Sequence, residues 1–407
     1  MKQLLHQFNN WFDQVQEALR TLFLNTISII DPQKPYFVSN YFKTKYKKRA
    51  LLSYVVEPFI IPTKTKHYYS HSNNAEALVI AKTLRQHKFQ VDIIKYDATH
   101  ISISSKAKYH LIFGLSPNID RFYKKSPKAI FVPYTTGSSS NFQNQAEKTR
   151  LTQLNQRIGK TLKRHMATPS DTKTLVKAKH IIGIGNKFTK STFPLSIQNK
   201  MNLITVSAYS FYPWPQIKPK KNFLKAKTNF LWWGGYGAVL KGLDLLLEAF
   251  IKTPHLHLHI TGNLYSEPDF IKIYHNHLFN TSNIHFHGWI NLYSKKYRDL
   301  VNQSAFIIFP SASESITGSV ASCMHSGLIP IVTPNTGIKT PFKKLILSNT
   351  KISTIKQIVK KASLMSTKEL KKISQDSYII AQENYTLTKF TNDFQKTISE
   401  ILMKTNN

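Results

Sequence analysis

The stretch SASESITGSVASCMHSGLIPIV, residues 311 to 332, decides how this chain is read. Just before it, Phe306 to Phe309 in AFIIFP form a short continuous apolar run, the pattern of a strand buried on both faces. A polar turn holding Glu314 follows. From about Gly318 to Ser326 apolar residues recur at helical spacing, and Gly327 ends the run. LIPIV then reads as another buried strand. Strand, turn, helix and strand make a βαβ unit, and in parallel sheets ligands bind outside the carboxyl ends of the strands, where Glu314 falls. Thr317, Gly318 and Ser319 open the helix. Free backbone N–H groups there, with the positive end of the helix dipole, suit a phosphate.

Working outward, FLWWGGYGAVLKGLDLLLEAF, residues 230 to 250, is again strand, Gly-rich turn and apolar helix. Gly234, Gly235 and Gly237 allow close backbone approach, and Lys241 supplies a positive charge at the turn. LHLHITGN (256 to 263) and NIHFHGWI (283 to 290) add two strands, the second leading into Gly288 and Trp289. In the amino-terminal half, ALLSYVV (50 to 56), VDIIKY (91 to 96), HLIFG (110 to 114), AIFVPYTTG (129 to 137) and HIIGIGN (180 to 186) read as strands. A helix from about Ala75 to Gln86, capped by Asn73 or Asn74, lies among them.

These motifs resemble the signature of retaining nucleotide-sugar glycosyltransferases of the GT-B type, family 4 or "glycosyl transferases group 1". Its pattern is Glu, seven residues, a second Glu and then "Ala-Met-Ala-x-Gly-x-Pro-Val"; Glu314, Met324, Gly327, Pro330 and Val332 fall in register here. Ser322 occupies the second Glu position, and Tyr236 stands where an Arg is common. The resemblance covers residues 228 to 340 closely, while HSNNAEALVIAKTLRQHKFQVDII looks like a Rossmann-type opening. It implies an α/β GT-B fold, two Rossmann-like domains facing a central cleft. The expected division is an amino-terminal helix and extension (1–45), an acceptor domain (46–205), a linker (206–227), a nucleotide-sugar domain (228–385) and a helix crossing back (386–407).

For the site, the resemblance implies that Lys241 meets the diphosphate and Glu314 holds hydroxyls of the donor sugar, these two being the catalytic pair. The donor-binding set is Gly234, Gly235, Lys241, Trp289, Glu314, Thr317, Gly318, Ser319 and Ser322. Trp289 falls where the nucleobase would stack. Ser322, short and uncharged, offers the ribose at best one weaker hydrogen bond. On the acceptor side, Thr135, Thr136 and Gly137 end a strand that faces the cleft. They either meet the acceptor or form a loop of turn formers. Residues 142 to 165 read as a solvated basic helix, with Arg150 and Arg157 as an alternative grip on an anionic acceptor. Asn186 and Thr189 fall near the mouth of their strand.

Composition sets the outer bounds. A chain of 407 residues, 41% hydrophobic and 19% charged, suits two globular cores and excludes disorder. Its 56 Lys plus Arg against 21 Asp plus Glu give +35, but only eight are Arg and the Lys are scattered. No nucleic-acid motif accompanies them, so no nucleic-acid partner is expected; an anionic membrane surface is the partner the charge leaves open. The single Cys323 excludes an internal disulfide.

Leu4, Leu5, Phe8, Trp11, Phe12, Val15, Leu19, Leu22 and Phe23 share one helical face, read as packing on the first domain rather than as a membrane anchor. With no apolar run of about 18 residues and no signal peptide, a cytoplasmic protein is expected, with the inner membrane face as an alternative. His255, His257 and His259 alternate along one strand and His275, His277, His285 and His287 follow; an exposed strand face accounts for them, and no metal or other cofactor is expected.

The expected activity is transfer of a sugar from a nucleoside diphosphate donor to a glycan or lipid-linked acceptor in cell-surface polysaccharide synthesis. A degenerate relative that binds without turnover is the alternative, on the strength of Tyr236 and Ser322.

Overall fold

The structure is a computed structural model that describes residues 36–61, 72–103, 108–208 and 221–406. The expected helix over residues 1–24 and residues 209–220 of the expected linker lie outside them. Two sheets organise the chain. The first holds β1 (Phe37–Val38), β2 (Lys48–Tyr54), β3 (Phe89–Lys95), β4 (Leu111–Gly114), β5 (Ile130–Thr135), β6 (Ile181–Ile184) and β7 (Met201–Ile204), in the order β1-β3-β2-β4-β5-β6-β7. All neighbours pair in parallel except β1, which runs antiparallel on the edge of β3. The second holds β8 (Asn229–Trp233), β9 (His257–Thr261), β10 (Ile284–Phe286), β11 (Phe306–Phe309) and β12 (Ile329–Val332), in the order β10-β9-β8-β11-β12, all parallel.

Strand periodicity explains the cores. Leu51, Ile112, Phe131 and Ile181 point to one face of the first sheet, while Leu52, Leu111, Phe113 and Val132 point to the other and join a cluster that continues into the second sheet. The helices that connect parallel strands cover both faces, so the strands carry unbroken apolar runs such as LIFG, IIGI and FIIF. In the second sheet the strand order reverses between β8 and β11. That reversal opens a crevice at their carboxyl ends, the position where such sheets bind ligands.

The chain passes between sheets twice. After β7, residues 205 to 208 lead toward the second sheet, tied by Thr205 Oγ1 donating to Asn384 O at 2.5 Å and Ala208 N to Tyr385 O at 3.2 Å. Ser207 N donates at 3.1 Å to the Glu76 carboxylate, which also accepts from Tyr54 Oη at 3.3 Å. Glu76 projects from the helix Ser72–Gln86 and is 2% exposed. Burial pushes its carboxyl up to about 7, against the two hydrogen bonds. The last helix, Leu387–Asn406, returns to the first sheet, where Phe394 packs on Phe113 and Ser399 meets His87.

The histidines differ from expectation. His257 and His259 on β9 stand beside His285 and His287 at β10, and each pair shares a hydrogen bond of 3.1 Å between Nδ1 and Nε2. Their rings stack at centroid separations of 4.9 to 5.4 Å. His259 is buried rather than exposed and also reaches Asn229 Oδ1 at 2.9 Å. Burial first, and the neighbouring imidazoles after it, hold His259 down to about 2. His259 is covered because two strands of alternating His pair in register, His285 beside His259, while His257, His285 and His287 stay half-buried.

Candidate active site

The site forms where β8 and β11 end. After Trp233 the chain turns through Gly234 to Gly237, and its three glycines have three different surroundings. A Cβ on Gly234 would lie 2.1 Å from the Trp232 ring, so this residue is small to seat the indole. Gly237 has φ +85°, and a Cβ there would meet Met166 at 2.5 Å. Only Gly235 has nothing within 4 Å of the added carbon, so it alone borders open space. Close backbone approach to a ligand, expected of all three, therefore has room at Gly235 only.

The turn then carries Lys241. Its N–H donates to Gly237 O at 3.0 Å, and its carbonyl accepts from Trp232 Nε1 at 3.3 Å. Gly237 N and Ala238 N, which a Gly-rich turn would present to an anion, are bonded to the carboxylate of Glu267 instead. Nothing in the sequence signalled this, because Glu267 lies 30 positions away from Gly237.

Across the crevice, β11 ends in Pro310 and the loop reaches Glu314. Ala312 N donates to Leu240 O at 2.9 Å, fixing this loop to the Lys241 turn. Glu314 is half-buried and accepts from Ser311 Oγ at 3.2 Å. Burial raises its carboxyl above the ordinary value, while Lys241 and the Ser311 hydroxyl pull it back, so the two expected catalytic side chains sit within electrostatic reach of each other. Thr317 bonds to Thr336 O through both N and Oγ1, and the helix Gly318–Met324 opens with Ala321 N on Thr317 O. Gly318 and Ser319 precede that ladder and are half-buried.

Ser322 lies on the next turn, but its hydroxyl donates to Ala208 O at 3.1 Å. The hydrogen expected to reach a ribose is committed to the crossing between sheets. Trp289 follows Gly288, whose carbonyl accepts from Gly262 N at 3.0 Å and Thr261 Oγ1 at 2.9 Å. It therefore stands at the end of β10, two strands from β8.

The first sheet supplies the other wall. Thr135 is 4% exposed and its Oγ1 finds no hydrogen-bond partner among the described residues. It points at the neighbouring strand, where a Cβ on Gly183 would lie 2.6 Å away. Thr135 is thus buried beside β6 at the carboxyl end of β5. Thr136 is exposed and Gly137 half-buried. The contact with the Glu314 loop is made by Thr136 and by two serines the sequence reading did not single out: Ser138 Oγ donates to Glu314 O, and Ser315 Oγ donates to Thr136 O at 2.9 Å. Thr189 Oγ1 donates to Ser315 O at 3.1 Å and Asn186 Nδ2 to Gly337 O at 3.0 Å.

The helix Ser140–Ile158, capped by Ser139, keeps one face in solvent and buries the other. Arg150 is 5% exposed and donates to Pro310 O at 2.7 Å. Arg157 reaches Asp244 at 2.5 Å and Glu248 at 3.2 Å on the helix Leu243–Phe250. Burial raises the Asp244 carboxyl to about 6 even beside these guanidiniums. Both arginines are engaged by the second sheet's helix and loop, which corrects the grip on an anionic acceptor.

Beyond the helix a short segment crosses the Gly-rich turn. Glu147 accepts from His165 N at 2.8 Å and Met166 N at 2.6 Å. His165 then meets Asp269 at 2.8 Å and Tyr236 Oη at 3.4 Å. Tyr236 is therefore turned to His165.

With this geometry in view, comparison with known proteins is informative. Residues 227–352 match the family model described as glycosyl transferases group 1, and the chain carries that domain. No curated protein matches the sequence. Among solved structures, the chain resembles Anabaena HepE in complex with UDP and glucose, at 12% identity and TM-score 0.56, covering 87% of this chain and 99% of that one. It also resembles the sucrose-phosphate synthase of Thermosynechococcus elongatus, at 12% identity and TM-score 0.62 over 88% and 99% of the two chains. A glycosyltransferase from Rickettsia africae is 15% identical, with TM-score 0.56 over 88% and 99%. At such identities the likeness is one of fold, and that fold is GT-B.

Proposed function

We propose that this protein transfers a sugar from a nucleoside diphosphate sugar to a glycan or lipid-linked acceptor, with retention of configuration, in the synthesis of a cell-surface polysaccharide. The observation that carries the reading is the pairing of Lys241 and Glu314 at the ends of β8 and β11, on either side of the strand-order reversal. Charge develops on the leaving diphosphate as the bond from the anomeric carbon to the phosphate oxygen breaks, and Lys241 is the fixed cation beside it. The acceptor oxygen bonds to the same face of the anomeric carbon, and its proton passes to the departing phosphate oxygen. Glu314 accepts hydrogen bonds from the sugar hydroxyls. Gly318 and Ser319 border the diphosphate, Gly235 leaves it room and Trp289 stacks on the base.

The neighbour crystallised with UDP and glucose supports a donor of this chemical class. No metal enters this scheme, because Lys241 supplies the compensating charge. Among the described residues no helix is long and apolar enough to cross a membrane, and the net charge of +35 favours contact with an anionic membrane surface, where a lipid-linked acceptor would be met.

A second reading, binding without turnover, is favoured by Ser322 being committed to Ala208 and Tyr236 to His165. Thermal unfolding with a panel of nucleoside diphosphates and their sugar conjugates tests the donor site. A ligand at about 100 times its dissociation constant adds about 2.7 kcal/mol of stability. The expected result is a shift with one donor that Lys241→Ala abolishes, followed by release of labelled sugar from that donor. A shift without any transfer or hydrolysis would favour the binding reading, and no shift with any donor would refute both.

A further inference from the structure

Glu267 follows the short turn Leu264–Ser266 and precedes the helix Pro268–Phe279, yet its side chain serves neither. The carboxylate crosses to the Gly-rich turn, where one oxygen accepts from Gly237 N at 2.7 Å and from Ala238 N at 3.2 Å, and the other from Ala238 N at 3.1 Å. It is 1% exposed. Placing a carboxylate in such a pocket is unfavourable unless charge-assisted bonds satisfy it, and here two main-chain donors do so. Burial pushes the carboxyl up, and the two amides, then His165 and Lys241, pull it back.

The same two residues are the points from which the Lys241 turn hangs. Gly237 O accepts from Lys241 N at 3.0 Å, and Ala238 O accepts from Leu243 N at 2.9 Å. Amide and carbonyl of each residue are thus bonded in opposite directions, to Glu267 on one side and to the turn on the other. A shift of either peptide would move Lys241 with it.

We propose that Glu267 is a positioning residue for the diphosphate of the donor: by capping Gly237 and Ala238 from a separate loop, it fixes Lys241 facing the end of β11. This rests on the donor-site reading given above and narrows it. Gly237 N and Ala238 N are occupied by a carboxylate, so the diphosphate is recognised by the Lys241 ammonium and not by these two amides. Glu267 touches no substrate and acts only through Lys241.

Inorganic pyrophosphate is the probe, because it carries the shared part of every nucleoside diphosphate and is indifferent to base and sugar. Its affinity is measured by calorimetry at physiological salt in wild type, Glu267→Gln, Lys241→Ala and the double variant. In Glu267→Gln the carboxamide oxygen accepts from one amide and the NH2 group opposes the other, so binding is expected to weaken about tenfold. In the Lys241→Ala background the same substitution is expected to change nothing, which a merely structural loss would not reproduce.

An equal loss in both backgrounds, no loss in either, or no pyrophosphate binding by wild type overturns the proposal. Should Glu267→Gln fail to fold, Glu267→Asp keeps the charge one methylene short of the amides and is read against Lys241→Ala in the same way. Failure of the wider reading looks different: absence of sugar transfer alongside an intact coupling between Glu267 and Lys241 removes the transferase assignment and leaves this one standing.

Discussion

Replacing Glu76 by Gln is expected to stabilise the protein at alkaline pH and leave it almost unchanged at acidic pH. The carboxyl is held up at about 7 in the folded protein, against 4.5 as the ordinary value. Between those values the folded chain holds a proton that the unfolded chain has released, so stability falls as pH rises. At about 1.4 kcal/mol per pH unit across that window, the loss reaches about 3 kcal/mol by about pH 8.

Gln has the same shape. Its carbonyl can accept from Ser207 N and its amide can donate to Tyr54 Oη, so both contacts of the native side chain survive. Urea unfolding of wild type and variant at several values from about pH 4 to about pH 8 reads the difference directly. The two stability curves should converge at the acid end and separate to about 3 kcal/mol at the other. Parallel curves, whatever their offset, would show that Glu76 does not titrate in this window and would refute the reasoning.

Other substitutions test the packing and the docking of the two sheets. Gly234→Ala drives a methyl into the Trp232 ring and should lose about 1 to 3 kcal/mol, while Gly235→Ala, facing open space, should stay within about 0.5 kcal/mol in the same denaturation assay. Arg157→Ala leaves the buried Asp244 carboxylate to Arg150; allowing for the partial exposure of Arg157, a loss of about 2 kcal/mol and a larger radius in small-angle scattering are expected. His259 is folded neutral, with its ordinary value of 6.5 held down to about 2, so its contribution is complete above 6.5 and is lost as pH falls below it. His259→Gln should therefore make acid unfolding shallower below that value in a pH-jump fluorescence measurement.

Local pattern carried much of this fold. Phe306 to Phe309 and Ile329 to Val332 are apolar because both faces of their strands are covered, and a continuous apolar run closed by Gly or a polar turn needs no knowledge of its neighbours. The strand MNLI at β7 was not legible for the opposite reason, since two of its four residues are only half-buried and its run is short. The two-residue edge strand β1 has too few residues to carry any periodicity.

At the site, Lys241 and Glu314 were legible through the resemblance of two motifs to the glycosyltransferase signature, each motif leading out of the carboxyl end of a buried strand. Glu267, Ser138 and Glu147 act at a distance along the chain, and a lone Glu or Ser has no local mark of a distant partner. Ser138, one of the serines that follow Thr135, Thr136 and Gly137, makes the contact with the Glu314 loop, and nothing local distinguishes it from its neighbours in that run.

The bonds that hold the two sheets together share a grammar. Ser138, Asn186, Arg150, Thr189 and Thr205 each give a side-chain hydrogen to a main-chain carbonyl, at Glu314, Gly337, Pro310, Ser315 and Asn384 respectively. Every residue type has that carbonyl, so apart from Ser315, whose own hydroxyl donates to Thr136 O, these receiving positions owe docking nothing through their side chains. Position 314 can be altered for chemistry while the join around it survives, and substitutions that loosen the join should gather at the giving positions. The frame and the reaction are in this way written in different letters of the same loop.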